Sequence, residues 1–219
     1  MCPPLAAISG QSTGSNKYPE CLPSDTLSRG AYNLALSCLP PAILNHSVRV
    51  FRIAEWFAKA SQSHWAHEKR SFLFVACIFH DIGCATQFDG PQRFEVEGAD
   101  AAADYLREHK VAELDVHEIW QAIALHTSPG IAERISVLAR LVRQAVLIDF
   151  STQLDQESQS VRDAAEEAFP RLGIEKILGD VVVDQALKQP QKAPPASWPG
   201  VLLRAKRDWP EWEGVNKGF

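Results

Sequence analysis

The apolar stretch "SFLFVACIFHDIGC", residues 71–84, ends in an adjacent histidine and aspartate, His80 and Asp81. Eight consecutive apolar residues, 72–79, precede the pair, so the segment is expected to lie in the core of the protein. Burying an imidazole or a carboxylate without a partner costs several kcal/mol. The rest of the chain must therefore supply groups that satisfy His80 and Asp81.

Most of the chain from Asp25 onward shows apolar residues at helical spacing, and strand-like alternation is scarce. The sequence therefore predicts an all-α fold. A short run of three valines, 181–183, is compatible with a strand fragment, but its helical neighbours favour a helix. The clearest predicted helices are one capped by Ser24 or Asp25 and stopped by Pro40, one capped by Asn45, one over about 68–79, and one over 133–150.

The chain divides by composition into three parts. Residues 1–23 are rich in Pro, Ser and Gly and are expected to form an irregular N-terminal arm. Residues 24–190 are predicted to form one helical domain. Residues 191–219 contain several prolines and three tryptophans, and we expect an irregular C-terminal arm that packs on the body, because exposed tryptophan is unfavourable.

Composition excludes several classes of function. The chain has 219 residues, 46% of them hydrophobic, and a formal net charge of −5, which argues against a nucleic-acid surface. No apolar run reaches the length of about 18 residues that a membrane span needs. The five cysteines are an odd number without a CxxC pair, which is typical of reduced thiols, so a cytoplasmic location is expected.

Histidines and aspartates recur on the predicted inward faces of separate helices. His46, His80 and Asp149 each continue an apolar stripe at offsets of three, four or seven residues, and Asp81 follows His80 directly. Two inward imidazoles and two inward carboxylates together favour a bound divalent metal ion, with Zn²⁺ preferred and Fe²⁺ or Mn²⁺ also suitable. Two His–Asp hydrogen-bonded pairs without a metal are the alternative.

The ordered set His46, His80-Asp81 and Asp149 resembles the HD-domain superfamily of metal-dependent hydrolases. The segments "HSVRVF", "HDIG", "RFEVEGADAAADYL" and "AIALHTSPGIAER" are similar to the HD-type cyanamide hydratase family over about residues 25–190. This resemblance implies an HD-type helical bundle with one metal at its centre, zinc in the family, held by those four residues. It also implies a small-molecule substrate, hydration of cyanamide to urea, and a homodimer. Cys84 stands where the family often has a hydroxyl residue, which leaves another nitrile or an isonitrile open as the substrate.

A hydratase mechanism assigns roles to residues around the predicted metal. Water bound to the metal would be ionised near neutral pH and attack the C≡N carbon. His126 ends an inward stripe on its helix and is the candidate proton donor, while Thr127 is a candidate to bind substrate or water. A core or capping role is the alternative for each. Glu95 and Glu97 could line the loop side of the site, or could simply favour the start of a helix.

A phosphohydrolase acting on a nucleotide or small phosphate ester is the second hypothesis. Such enzymes need cations around the phosphoryl oxygens. The loop "CATQFDG", residues 84–90, contains no basic residue, which favours a small neutral substrate. Arg49 or Arg143 could still approach the site from another part of the chain.

Overall fold

The computed structural model describes residues 18–151, 153–209, 211 and 214. Regular structure in this part of the chain is helical, without a strand, which confirms the all-α prediction. The α-helices are α1 (Thr26–Cys38), α2 (Pro41–Ala60), α3 (Arg70–Phe79), α4 (Phe94–Glu108), α5 (Glu113–Ala124), α6 (Ala132–Ile135), α7 (Val137–Phe150), α8 (Gln156–Ala168), α9 (Ile174–Lys188) and α10 (Trp198–Asp208). The valines at 181–183 lie within α9.

Two helix starts illustrate how local chemistry sets the boundaries. Asp25 caps α1 as predicted, because its carboxylate accepts a hydrogen bond from the backbone N–H of Ser28 at 3.0 Å. The predicted cap at Asn45 is wrong: α2 already begins at Pro41, whose fixed φ and missing N–H suit the first helical position. Asn45 lies one turn inside α2, and its side-chain amide donates to the carbonyl oxygen of Pro170.

The helix predicted over residues 133–150 is interrupted at Ser136. This residue is extended, with φ −155° and ψ 167°, and its hydroxyl accepts from the backbone N–H of Ala139. The side-chain bond competes with the helical backbone bond, as serine often does at helix starts. A short α6 and a separate α7 result, and Asp149 lies in the last turn of α7.

The apolar stretch that carries the His-Asp pair forms the buried centre of the fold. Every residue of α3 from Leu73 to Phe79 is buried, with zero exposure. α3 packs against α1, α2 and α5, and α2 also packs against α7. The C-terminal end of α3 therefore places His80 and Asp81 between the helices that carry His46 and Asp149.

Two glycines allow the turn after the His-Asp pair to touch α4. A Cβ atom on Gly83 would lie 2.0 Å from the carbonyl oxygen of Phe94 and 2.8 Å from the backbone nitrogen of Gly98. A Cβ atom on Gly98 would in turn lie 3.1 Å from the carbonyl oxygen of Phe79. The backbones cross at a distance that only glycine permits, which joins the "HDIG" and "RFEVEGA" segments.

The C-terminal segment predicted to be an irregular arm contains a helix. α10 packs against α9, and Ser197 caps it by accepting from the backbone N–H of Gly200 at 3.1 Å. The buried Lys192 ammonium donates to the Asp89 carboxylate at 2.7 Å and to the Gly90 carbonyl at 2.8 Å. These contacts tie the segment to the loop that follows the His-Asp pair. The boundaries at 23/24 and 190/191 stay predictions.

Cysteine chemistry differs between positions. Cys38, Cys77 and Cys84 are free thiols, as the sequence predicted. Cys21 is disulfide-bonded, so the expectation that the cysteines are uniformly reduced is wrong for that residue.

Among the described residues, we find no helix with both the length and the apolar character that crossing a membrane requires.

Candidate metal centre

Three side chains from α2 and the end of α3 converge at a buried point. The Nε2 atoms of His46 and His80 lie 3.1 Å apart. Oδ2 of Asp81 lies 3.5 Å from Nε2 of His46 and 3.3 Å from Nε2 of His80. All three residues are at most 1% exposed. They form a group of ligand atoms close enough together to hold one metal ion.

The hydrogen-bond partner of Nδ1 determines which nitrogen of each imidazole carries the proton. Nδ1 of His80 lies 2.7 Å from the carbonyl oxygen of Cys77, which can only accept a hydrogen bond. Nδ1 of His46 lies 2.7 Å from Oδ2 of Asp149. Nδ1 therefore donates in both rings, and a neutral ring presents the lone pair of its Nε2 atom to the convergence point.

Asp81 supplies the clearest sign that this point is built for a cation. Its Oδ2 atom is buried and forms no hydrogen bond within the described residues. A buried carboxylate oxygen facing two nitrogen lone pairs is unfavourable unless a cation is shared among them. The donor set of two imidazoles and one carboxylate suits a divalent transition metal, and it is the set found in several zinc hydrolases.

Burial and charge shift the pKa values of the three groups in ways consistent with an ionic centre. Burial lowers the pKa of His46, even though the Asp149 carboxylate acts in the opposite direction. Burial also acts to lower the pKa of His80, but the Asp81 carboxylate outweighs it and raises that pKa. Burial would raise the pKa of Asp81, yet His80 and nearby hydrogen bonds hold it well below its usual value. These directions favour an ionised Asp81 and a neutral His46.

Asp149 lies on the far side of the His46 ring from the convergence point. Its two oxygens accept from the Arg49 guanidinium, with Nε to Oδ1 and Nη2 to Oδ2 both at 2.7 Å. Burial acts to raise the pKa of Asp149, but Arg49 and His46 hold it well below the ordinary value. The structure thus brings together three of the four predicted ligands, and a ligand role for Asp149 stays a prediction.

Arg49 was not assigned this role from the sequence. It is fully buried, and besides Asp149 its Nη1 atom donates to the carbonyl oxygen of Phe169 at 3.0 Å. The signal was its position three residues after His46, which puts both on one face of α2. Arg171 adds a bond from Nη1 to the backbone carbonyl of Asp149 at 2.8 Å.

His126 faces the same centre from the segment after α5, as its inward position predicted. Its Nδ1 atom lies 2.6 Å from the carbonyl oxygen of Ile123, so that nitrogen carries the proton. Its Nε2 atom lies 3.6 Å from Oδ1 of Asp81, and the ring packs edge-on against His80 with centroids 4.9 Å apart. A proton can therefore be taken up or released at Nε2 beside the candidate centre. The catalytic role itself stays a prediction.

Thr127 and Glu95 form a buried pair next to His126. The Thr127 hydroxyl donates to Oε1 of Glu95 at 2.6 Å, and Glu95 is completely buried. Nη2 of Arg93 donates to the same oxygen at 2.7 Å and to the Thr127 hydroxyl at 3.3 Å. Glu97 instead accepts from the backbone N–H of Gln92, at the surface. Of the two glutamates in "RFEVEGA", only Glu95 reaches the predicted substrate residue.

A cleft of about 570 Å³ opens beside Thr127. Its charged lining residues are Arg93, Arg143 and Arg204. The loop at 84–90 lacks basic residues, but arginines from three other parts of the chain line this neighbouring cleft. This arrangement removes the charge argument that favoured a neutral substrate over an anionic one.

Residues 43–147 match the family model described as HD domain. The matched segment includes His46, His80, Asp81, His126 and Thr127 and ends just before Asp149. It supports an assignment of this region to the HD-domain superfamily. No curated protein matches the chain significantly.

Proposed function

We propose that this chain is a metal-dependent enzyme of the HD-domain type that uses water as its nucleophile. One observation carries the proposal: Oδ2 of Asp81 is buried without a hydrogen bond and lies 3.3–3.5 Å from two Nε2 atoms whose rings are protonated on the opposite side. His46, His80 and Asp81 would hold the metal. When bound, a divalent metal supplies Lewis-acid activation of water and of the substrate.

The residues around the centre would divide the remaining work. Asp149 and Arg49 fix the His46 ring so that Nε2 keeps its lone pair toward the centre. His126 can exchange a proton at Nε2, while the Ile123 carbonyl keeps its other nitrogen protonated. Glu95 fixes the Thr127 hydroxyl, whose oxygen then accepts from Arg93 and faces the cleft. Because these side chains are buried, bulk water is kept away from the electrostatic contacts between them.

We propose hydration of a C≡N group, with cyanamide and urea as the first substrate and product to test. The four sequence segments that resemble HD-type cyanamide hydratases support this choice, and Glu95 and Thr127 belong to two of them. In the reaction, oxygen from water bonds to the nitrile carbon as water loses one proton, and one proton is delivered to the nitrile nitrogen, which gives isourea. Isourea becomes urea when the remaining hydroxyl proton moves from oxygen to that nitrogen. His126 is the proposed donor, because its Nε2 atom lies beside Asp81.

A phosphohydrolase is the second candidate, and Arg93 and Arg143 favour it. Both guanidinium groups border the cleft beside Thr127 and could neutralise a phosphoryl group. Substrate preference separates the two candidates: urea formed from cyanamide supports the hydratase, and phosphate released from nucleoside monophosphates supports the phosphohydrolase.

Metal content tests the shared basis of both candidates. We expect about one divalent metal per chain, removal by a chelator with loss of turnover, and loss of metal in His80→Ala. His117→Ala is the matched control, because His117 is an exposed histidine that contacts Gln121. Full metal content in His80→Ala, or the same turnover after complete metal removal, would contradict the proposal.

A further inference from the structure

The cleft beside Thr127 borders the segment that carries His126. His46, His80 and Asp81 are at most 1% exposed, so the centre itself does not reach the surface. Thr127 borders the cleft and directly follows His126, whose ring contacts His80. A ligand in this cleft would lie next to the proposed proton donor.

The charges around the cleft leave an excess of one positive charge. Among the described residues, three arginines line it and no carboxylate does. Arg93 is paired with Glu95 at 2.7 Å, and Arg143 with Glu133 at 3.4 Å. Arg204 donates to the carbonyl oxygen of Pro195 at 2.8 Å and forms no ion pair within the described residues. The cleft therefore suits a ligand with one negative charge better than a neutral or doubly charged ligand.

Part of the cleft lining is apolar. Trp198, Pro129, Ile131 and Val201 line it, and Ile131 is 55% exposed. The Trp198 ring packs on Phe94 with centroids 5.8 Å apart, and Phe94 packs on His126 with centroids 5.7 Å apart. Trp198 is therefore held in place by a buried ring that also contacts His126, and with the other apolar lining residues it offers a surface that fits a small apolar group.

We propose that the cleft binds a small monocarboxylate, with the carboxylate at Arg204 and its apolar part against Trp198. A planar guanidinium suits a carboxylate because two N–H groups can donate in parallel. This ligand is distinct from cyanamide and from a phosphate ester, and the binding site does not rest on the proposed function.

Calorimetric titration of the purified full-length protein tests this site with three probes that share a phenyl ring and differ in charge. Benzoate carries one negative charge, benzamide is its neutral counterpart, and phenyl phosphate carries a charge of about −1.5 to −2 at pH 7. We expect benzoate to bind at least tenfold more tightly than benzamide and more tightly than phenyl phosphate. Binding should persist after treatment with a chelator, because the cleft residues are not the proposed metal ligands.

Arg204→Gln should weaken benzoate binding at least tenfold and leave benzamide binding unchanged. Arg207→Gln is the matched control: it removes the same charge from the same helix, at an exposed position outside the cleft lining. Benzoate binding should stay unchanged in this variant.

Several results would overturn the site. These are no benzoate binding at 10 mM, equal affinity for benzamide, tighter binding of phenyl phosphate, loss of binding after chelation, or equal effects of the two arginine substitutions. None of them depends on turnover. A protein that binds benzoate but holds no metal would refute the proposed function alone, and a metal-loaded active enzyme indifferent to benzoate would refute the cleft alone.

Discussion

Nδ1 of His46 lies 2.7 Å from Oδ2 of Asp149, and the same carboxylate is held by the Arg49 guanidinium on both oxygens. This contact orients the imidazole so that Nε2 faces Nε2 of His80 and the carboxylate of Asp81. A carboxylate that holds the outer nitrogen of a ligand histidine fixes its tautomer and raises its basicity. In this arrangement Asp149 acts on the candidate metal centre through His46.

Asp149→Asn is expected to weaken metal binding by about 10- to 100-fold, because an amide orients His46 less well than a carboxylate does. Competition with a chromogenic chelator would measure the affinity. The Co²⁺-substituted protein would give the ligand set from its visible absorption. If Asp149 acts through His46, the shape of that spectrum is preserved in Asp149→Asn.

The same experiment tests the ligand role that the sequence predicted for Asp149. Direct ligation requires a changed Co²⁺ spectrum in the variant, because one oxygen ligand is lost. Asp163→Asn, which removes an exposed carboxylate from α8, is the control and should retain both affinity and spectrum. Unchanged affinity in Asp149→Asn would contradict both roles.

The helical class and the inward positions of His46, His80, Asp81 and His126 could be predicted from the sequence. Each follows an apolar stripe of period 3.6 on one helix, and burial of that stripe fixes where the polar residue points. The orientation of Asp149 could not be predicted in this way. Helical phase determines which side a residue faces, but not which side of a neighbouring imidazole its carboxylate contacts.

Contacts between distant segments account for most of what the sequence did not reveal. Arg143 on α7 and Arg204 on α10 lie far apart along the chain, yet the fold brings both to the lining of one cleft. The composition of the 191–219 segment, rich in Pro and Trp, suggested an irregular arm, yet Ser197 and Pro199 are also favourable residues for a helix start. Local capping chemistry was the available signal for α10.

Gly83→Ala should destabilise the protein strongly, because the new Cβ would lie 2.0 Å from the carbonyl oxygen of Phe94. Backbone atoms cannot move aside as a flexible side chain does, so we expect a loss near or above the upper end of the range of about 1–3 kcal/mol typical of overpacking. Chemical unfolding followed by circular dichroism would measure it.

Gly173→Ala provides the comparison for that substitution. Gly173 has φ +73°, but no atom lies within 4 Å of an added Cβ. The variant should lose only about 1 kcal/mol, from backbone strain. If Gly83→Ala were no more destabilising than Gly173→Ala, the close crossing of the "HDIG" turn and α4 would be refuted.

Asp25 makes the stability of the protein depend on pH in the acidic range. Burial acts to raise the pKa of this carboxyl, but hydrogen bonds from Ser71 and Ser28 outweigh it and lower the pKa. Since the pKa is lower in the folded state, the contribution of the charge is present above the unfolded pKa of about 3.9 and is lost as pH falls through the folded pKa. Asp25→Asn should therefore be less stable than the wild type at pH 7 and equal to it near pH 2.

Asp25→Ala separates charge from capping at the same residue. It removes the acceptor for the Ser28 N–H, so a loss of about 1 kcal/mol should persist even at low pH. Urea unfolding at pH 7, 4 and 2 would measure both variants. A constant difference between the wild type and Asp25→Asn at all three pH values would show that the carboxylate charge makes no contribution.

His126→Gln should lower kcat by about 10²- to 10⁴-fold while leaving the metal content unchanged. His126 is outside the group of three candidate ligands, but its Nε2 atom lies 3.6 Å from Oδ1 of Asp81, where a proton donor is needed. Turnover would be followed as urea formed from cyanamide, or as phosphate released if that is the reaction.

His117→Gln on α5 is the matched control and should keep wild-type activity, since its imidazole contacts Gln121 at the surface. Loss of metal together with activity in His126→Gln would instead make His126 part of the metal site.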